Sequence, residues 1–144
     1  MRKMFLPLLA ILSAYLFAGC LPSFDAKAEE HFYKGIEYRR QGDNNAALEE
    51  FTRAIEIDPK YYFAYYNRAL VYHQIGDLES SLANYNKAIE LNPDNAYWTI
   101  ERGFLYMELG DREQAINDLE RARELGIPPE YRQRVEEALA QLKP

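Results

Sequence analysis

The sequence predicts an all-α fold in which three helix-turn-helix units follow one another and a further helix closes the end. Three observations carry this. The segments GIEYRRQGDNNAALEEFTRAIEIDP from Gly35, ALVYHQIGDLESSLANYNKAIELNP from Ala69 and GFLYMELGDREQAINDLERARELGI from Gly103 align without gaps, each 34 residues after the last. Self-similarity at such a period marks stacked supersecondary units. Within each segment apolar residues recur at helical spacing, and a Gly-Asp pair, a helix stop followed by an N-cap residue, divides it in two.

Each element can be justified in order. The first helix of a unit carries a small residue at Gly35, Ala69 or Gly103 and a tyrosine at Tyr38, Tyr72 or Tyr106, and then ends at Gly42, Gly76 or Gly110. Asp43, Asp77 and Asp111 stand where an N-cap would start the second helix, and Asp111 with Gln114 has the form of a capping box. In that second helix Leu48, Phe51 and Ile55, or Leu82, Tyr85 and Ile89, recur at i, i+3 and i+7 until Pro59 or Pro93 stops it. The small residues predict close crossings: Gly35, Ala69 and Gly103 against Phe51, Tyr85 and Leu119, with Ala54, Ala88 and Ala122 admitting the next unit. The units run over 28–61, 62–95 and 96–127. Over 128–144, beyond Pro128-Pro129, Tyr131, Val135, Ala138, Leu139 and Leu142 form a terminal helix that caps the exposed apolar side of the stack.

Ahead of the repeats, Arg2 and Lys3 precede an apolar stretch from Met4 to Ala18 and the small residue Gly19, the pattern of an export signal. At 1.5 Å per residue the stretch is about 22 Å long, short of the roughly 30 Å that a spanning helix must cross. Cys20 follows as the sole cysteine, so it has no intrachain disulfide partner. The residues Leu16, Phe17, Ala18, Gly19 and Cys20 resemble a bacterial lipoprotein signal. That resemblance implies removal of residues 1–19, acylation of Cys20, palmitate included, and a tether over 20–27. It also implies anchoring in the cell envelope, facing the periplasm or the exterior. Leu21, in place of the Asp that retains some lipoproteins at the inner membrane, points to the outer membrane where there are two. A second exit stands open at Ala26-Lys27-Ala28, which would release a soluble chain from Glu29. The seven residues Leu21 to Lys27 reach at most about 25 Å.

The 34-residue order of small residue, Tyr, Gly, Ala, aromatic, Ala and Pro resembles the tetratricopeptide repeat, with Ser81, Leu119 and Ile127 as departures. The resemblance implies a concave groove, lined by the first helices, that holds peptides or extended segments of partner proteins. Its positions fall on Phe32, Ile36, Arg39 and Arg40 in the first unit. In the second they are Phe63, Tyr66, Asn67, Leu70, His73 and Gln74, and in the third Tyr97, Ile100, Glu101, Phe104, Met107 and Glu108. The residues support a groove independently. Phe63, Tyr66, Leu70 and His73 form a stripe distinct from Tyr65, Ala69 and Tyr72, so the helix is apolar on two sides. A partner could cover the second side, or contacts between neighbouring first helices could fill it. Some members of the family clamp a partner's terminal carboxylates with Lys, Asn and Arg; here only Asn67 matches, beside Phe32, Ile36, Tyr97 and Glu101. An apolar helix or strand is the better occupant.

Composition narrows the function. Loss of Arg2 and Lys3 with the export segment leaves 15 Lys plus Arg against 23 Asp plus Glu, a net charge of −8. That balance opposes nucleic-acid binding, which depends on cations neutralising phosphates. It opposes polybasic membrane attachment equally. No phosphate-binding glycine loop, metal-binding His pair or nucleophile elbow is present in the sequence. The histidines are His31 and His73, and the latter reads as a ring hydrogen-bonded within the groove. Glu49-Glu50 and Glu136-Glu137 read as solvated helix faces. The expectation is a non-enzymatic, lipid-anchored adaptor with a protein partner and no cofactor or metal. Self-association and a secreted soluble form are the alternatives.

Overall fold

The computed structural model describes residues 24–143, so the export segment, Cys20 and the chain up to Ser23 lie outside the described residues. Seven α-helices follow in order among them: α1 (Ala26–Gln41), α2 (Asn44–Ile57), α3 (Tyr62–Gln74), α4 (Leu78–Leu91), α5 (Ala96–Glu108), α6 (Arg112–Leu125) and α7 (Arg132–Leu142). A 3-10 turn, Pro129–Tyr131, precedes α7. The helices pair as α1·α2, α3·α4 and α5·α6, and each pair packs on the next through α2·α3, α4·α5 and α6·α7.

The three tight turns are the same local solution used three times. Gly42, Gly76 and Gly110 have φ of 80°, 81° and 77°, the left-handed region that a side chain disfavours. The backbone N–H of each glycine donates to the carbonyl of Arg39, His73 or Met107, and that of the following aspartate reaches back to Tyr38, Tyr72 or Tyr106. Carbonyls left unpaired at the end of the first helix are thereby satisfied. The aspartates then cap the second helix, each side chain accepting from the N–H three residues on, at Ala46, Ser80 and Gln114.

Close crossings fall where the small residues predicted them. A Cβ on Gly35 would sit 2.6 Å from the Phe51 ring, and one on Gly103 would sit 3.0 Å from Leu119. Ala69 packs with Tyr85, and Ala54 with Tyr61 and Ala64 of the next pair. At the far end Leu119 and Ala122 join Val135, Ala138 and Leu139 of α7, with Tyr131 and Leu142 at the margin. The terminal helix thus covers the last pair.

Two features depart from the sequence reading. Helix α1 begins at Ala26, with Asp25 as its N-cap accepting from the Lys27 N–H and Phe24 packed on Tyr61, so residues 24–27, expected outside the repeats, belong to the folded part. Glu50 is not solvated. It is 8 % exposed and takes hydrogen bonds from His31 Nδ1 at 2.7 Å and from Arg53 at 2.9 Å, whereas Glu49, Glu136 and Glu137 lie at the surface.

Candidate functional site

The first helices α1, α3 and α5 stand side by side, and their groove-side residues divide into two sets. One set closes the seams between pairs. Phe32 packs on Tyr61 and Phe63, with ring centroids 5.0 and 6.4 Å apart, and Tyr66 stacks on Trp98 at 5.4 Å while meeting Tyr97 edge-on at 5.8 Å. Ile36 joins Phe51 and Val71, and Leu70 joins Tyr85 and Leu105. Ile100 and Phe104 are buried against α6 and α7, at 0 % and 8 % exposure. Expected in the groove wall, Ile100 belongs to the core because α7 lies over it, while Phe104 keeps only an edge on the cleft between α5 and α7. Asn67 is also buried and spends its amide on the Phe63 carbonyl at 2.9 Å.

The other set remains at the surface. Phe63 and Arg40 are exposed, Arg39 and Met107 are half-buried, and Gln74 and Glu108 are open to solvent. His73 reaches from α3 to α5, its Nε2 2.9 Å from a Glu108 carboxylate oxygen. Glu101 accepts from the Tyr131 hydroxyl at 2.7 Å, and Tyr97 meets Tyr131 edge-on. Burial, together with the Tyr97 hydroxyl, pushes the Tyr66 phenol well above its ordinary range. It stays neutral and serves as a packed ring with a polar tip.

Two clefts open on this side. One, of about 260 Å³, lies between α5 and α7 and is lined by Phe104, Met107 and Ala138 together with Glu108, Arg134, Glu137 and Gln141, with the Arg134 guanidinium 3.8 Å above the Phe104 ring. The other, of about 280 Å³, lies at the start of the array, between Phe24, Phe32, Tyr33, Tyr61 and Phe63, with Glu29 as its one charged residue. Tyr33, Tyr131, Arg134 and Gln141 were missed in the sequence reading although the period holds their signal. Tyr33 is the 34-residue counterpart of Asn67 and Glu101, while Tyr131, Arg134 and Gln141 are those of Tyr97, Ile100 and Met107. Helix α7 therefore continues the array as one more first helix. Its position equivalent to Gly103 is Glu137, exposed, since no following helix crosses there.

The arrangement can hold an apolar or amphipathic segment across α3, α5 and α7. Among the described residues no group of three or more His, Cys, Asp or Glu could hold a metal ion, and no helix is long and apolar enough to cross a membrane.

Comparison with known proteins settles the nature of the repeats. Residues 35–76 match the TPR repeat family, and 62–95 and 100–125 match two tetratricopeptide repeat families. These are tetratricopeptide repeats. A TPR domain of Spaghetti (RPAP3), bound to the HSP90 peptide SRMEEVD, superposes with a TM-score of 0.74 at 26 % identity, covering 83 % of this chain and 96 % of that one. The TPR domain of P58(IPK) gives a TM-score of 0.77 at 27 % identity, over 81 % of this chain and 33 % of that one. An uncharacterized protein of Methanocaldococcus jannaschii, MJ0572, is 48 % identical over 44 residues, 31 % of this chain. That match spans about half of the relative's length, 51 %. TPR relatives of this shape thus include one solved with a peptide bound, and a TPR fold is a protein-interaction module.

Proposed function

We propose that the chain is a non-enzymatic TPR adaptor, anchored to an envelope membrane through a lipid on Cys20, which holds an apolar segment of a protein partner. The observation that carries the binding reading is what stays accessible once the seams are filled. Met107 and the α5–α7 cleft present an amphipathic surface, Phe104 and Ala138 beside Glu108, Arg134, Glu137 and Gln141, next to the His73–Glu108 bridge. The acidic peptide of the RPAP3 complex is a poor guide to the occupant here. The one matching clamp residue, Asn67, is buried with its amide committed, and Glu101 and Glu108 would repel carboxylates.

The anchor is supported by where the folded part begins. Release at Glu29 would strip off Phe24, the Asp25 cap and Ala28, which is fully buried against α2 and α3. Release at Cys20 leaves the whole domain in place. Self-association uses the same surface, with a second copy as the occupant.

The decisive experiment is a cross-linked pull-down from membranes, with the mass of the N-terminal peptide measured in parallel. Wild type is compared with an Arg40→Glu, Met107→Glu variant that remains helical by circular dichroism; Phe104→Glu is avoided because it would bury a charge. A protein recovered with wild type and lost with the variant establishes the groove as its site, and recovery of only this chain converts the reading to self-association. Equal recovery with both overturns the groove. An N-terminal peptide beginning at acylated Cys20 is expected, whereas one beginning at Glu29 defeats the anchor.

A further inference from the structure

We infer that the aromatic cleft at the start of the array rests on the lipid surface itself, so that Tyr33 and Phe63 are membrane-contact residues. The inference rests on the lipid anchor proposed above and adds the orientation of the domain. Phe24 is the first described residue, and it is held. Its ring stacks on Tyr61 at 4.2 Å and meets Tyr62 and Phe63 edge-on at 5.2 and 6.1 Å. Asp25 then caps α1. The chain therefore leaves the fold inside the wall of this cleft. From Phe24 back to Cys20 is four residue steps, at most about 14 Å. A domain so tethered cannot stand clear of the surface, and the face around Phe24 is the one brought against it.

That face has the chemistry for the contact. Tyr33 is 65 % exposed and Phe63 39 %, and both line the cleft with Phe24. Tyrosine, apolar in body and polar at its tip, favours the headgroup level of a bilayer. Two exposed rings fall far short of the roughly 800 Å² per partner that a stable protein interface buries. Beside an anchor that already fixes the distance they suffice, because the second contact is intramolecular. Glu29 also lines the cleft, and with Asp25 and Asp58 it leaves one negative charge in excess of Lys27 and Lys60 nearby in the sequence, so the rings and not charge attraction make the contact. The contact therefore needs no anionic lipid.

The chain has one tryptophan, Trp98, which is 2 % exposed and serves as a buried reference. Full-length Tyr33→Trp and Leu109→Trp variants, purified from membranes with the Cys20 mass checked, are reconstituted into phosphatidylcholine vesicles with acyl chains brominated near the headgroup. The added Tyr33→Trp emission is expected to be quenched at least twofold relative to unbrominated vesicles, with that of Leu109→Trp unchanged. Phe24→Ser, which frees the tether root, should reduce the Tyr33→Trp quenching by more than half. An acylated protein whose Tyr33→Trp emission is unquenched overturns the orientation and leaves the anchor standing. Equal quenching at both positions overturns it too, and an unacylated protein defeats both.

Discussion

Gly35 and Gly103 occupy the same position in the repeat but tolerate a methyl group differently. A Cβ on Gly35 would meet the flat Phe51 ring at 2.6 and 2.7 Å, and a ring cannot bend aside. On Gly103 it would meet Leu119 at 3.0 and 3.1 Å, a side chain that can rotate. Gly35→Ala should cost about 1 to 3 kcal/mol by overpacking and Gly103→Ala less than half as much; urea unfolding of both variants checks the order, and equal losses would contradict this packing. The arginines show the same dependence on the neighbour. Arg68 donates to Asn84 at 2.8 Å and Thr52 at 3.0 Å, both neutral, and burial lowers its pKa. Arg102, its counterpart one repeat on, meets both oxygens of Asp118 at 2.7 Å and Asn86 at 2.8 Å. Burial works against its charge, but the Asp118 carboxylate outweighs it and raises the pKa. Because Asp118, 7 % exposed beside Arg102, would lose its cation in Arg102→Ala, a loss of roughly 1 to 3 kcal/mol is expected, against no more than about 0.5 for Arg121→Ala at the surface. Thermal melts of the pair separate the two.

At the scale of the element, α1 has the most to lose at its start. A chain beginning at Glu29 lacks the Asp25 cap and the Phe24 ring, and should be less stable by about 2 to 4 kcal/mol. Matched melting temperatures for the two forms would show that these residues add nothing. In the second pair Ala88 is fully buried, and Ala88→Leu should cost about 1 to 3 kcal/mol by overpacking. Features of this kind were legible in the sequence because they are local or strictly periodic. Gly-Asp encodes its own turn and cap, and the small residues repeat at 34. The division of the groove was not legible. Whether Ile100 or Met107 faces the open side depends on α7, which arrives from more than twenty residues away. Glu50 looked like half of a solvated pair because spacing cannot register that His31, on another helix, stands over it.

For the molecule as a whole, burial raises the phenol pKa values of Tyr61, Tyr66 and Tyr85 above their ordinary range. The unfolded chain ionises these groups near pH 10, and the folded one resists. Their contribution is fully present below about pH 10 and is lost as the pH rises towards the folded values. Urea midpoints should therefore agree at about pH 8 and 9 and fall by about pH 11. An unchanged midpoint at the higher pH would place these rings in water. The same rings bear on mechanics. Phe24 precedes the first helix yet stacks on Tyr61, at the threshold of the second pair, and ring contacts run on from Phe63 through Trp98, Tyr66 and Tyr97 to Tyr131. A pull on the chain ahead of Phe24 does not simply peel α1 away. It also loads the Phe24 ring stacked on Tyr61, so that contact between the first and second pairs has to part before α1 can be drawn out from its start.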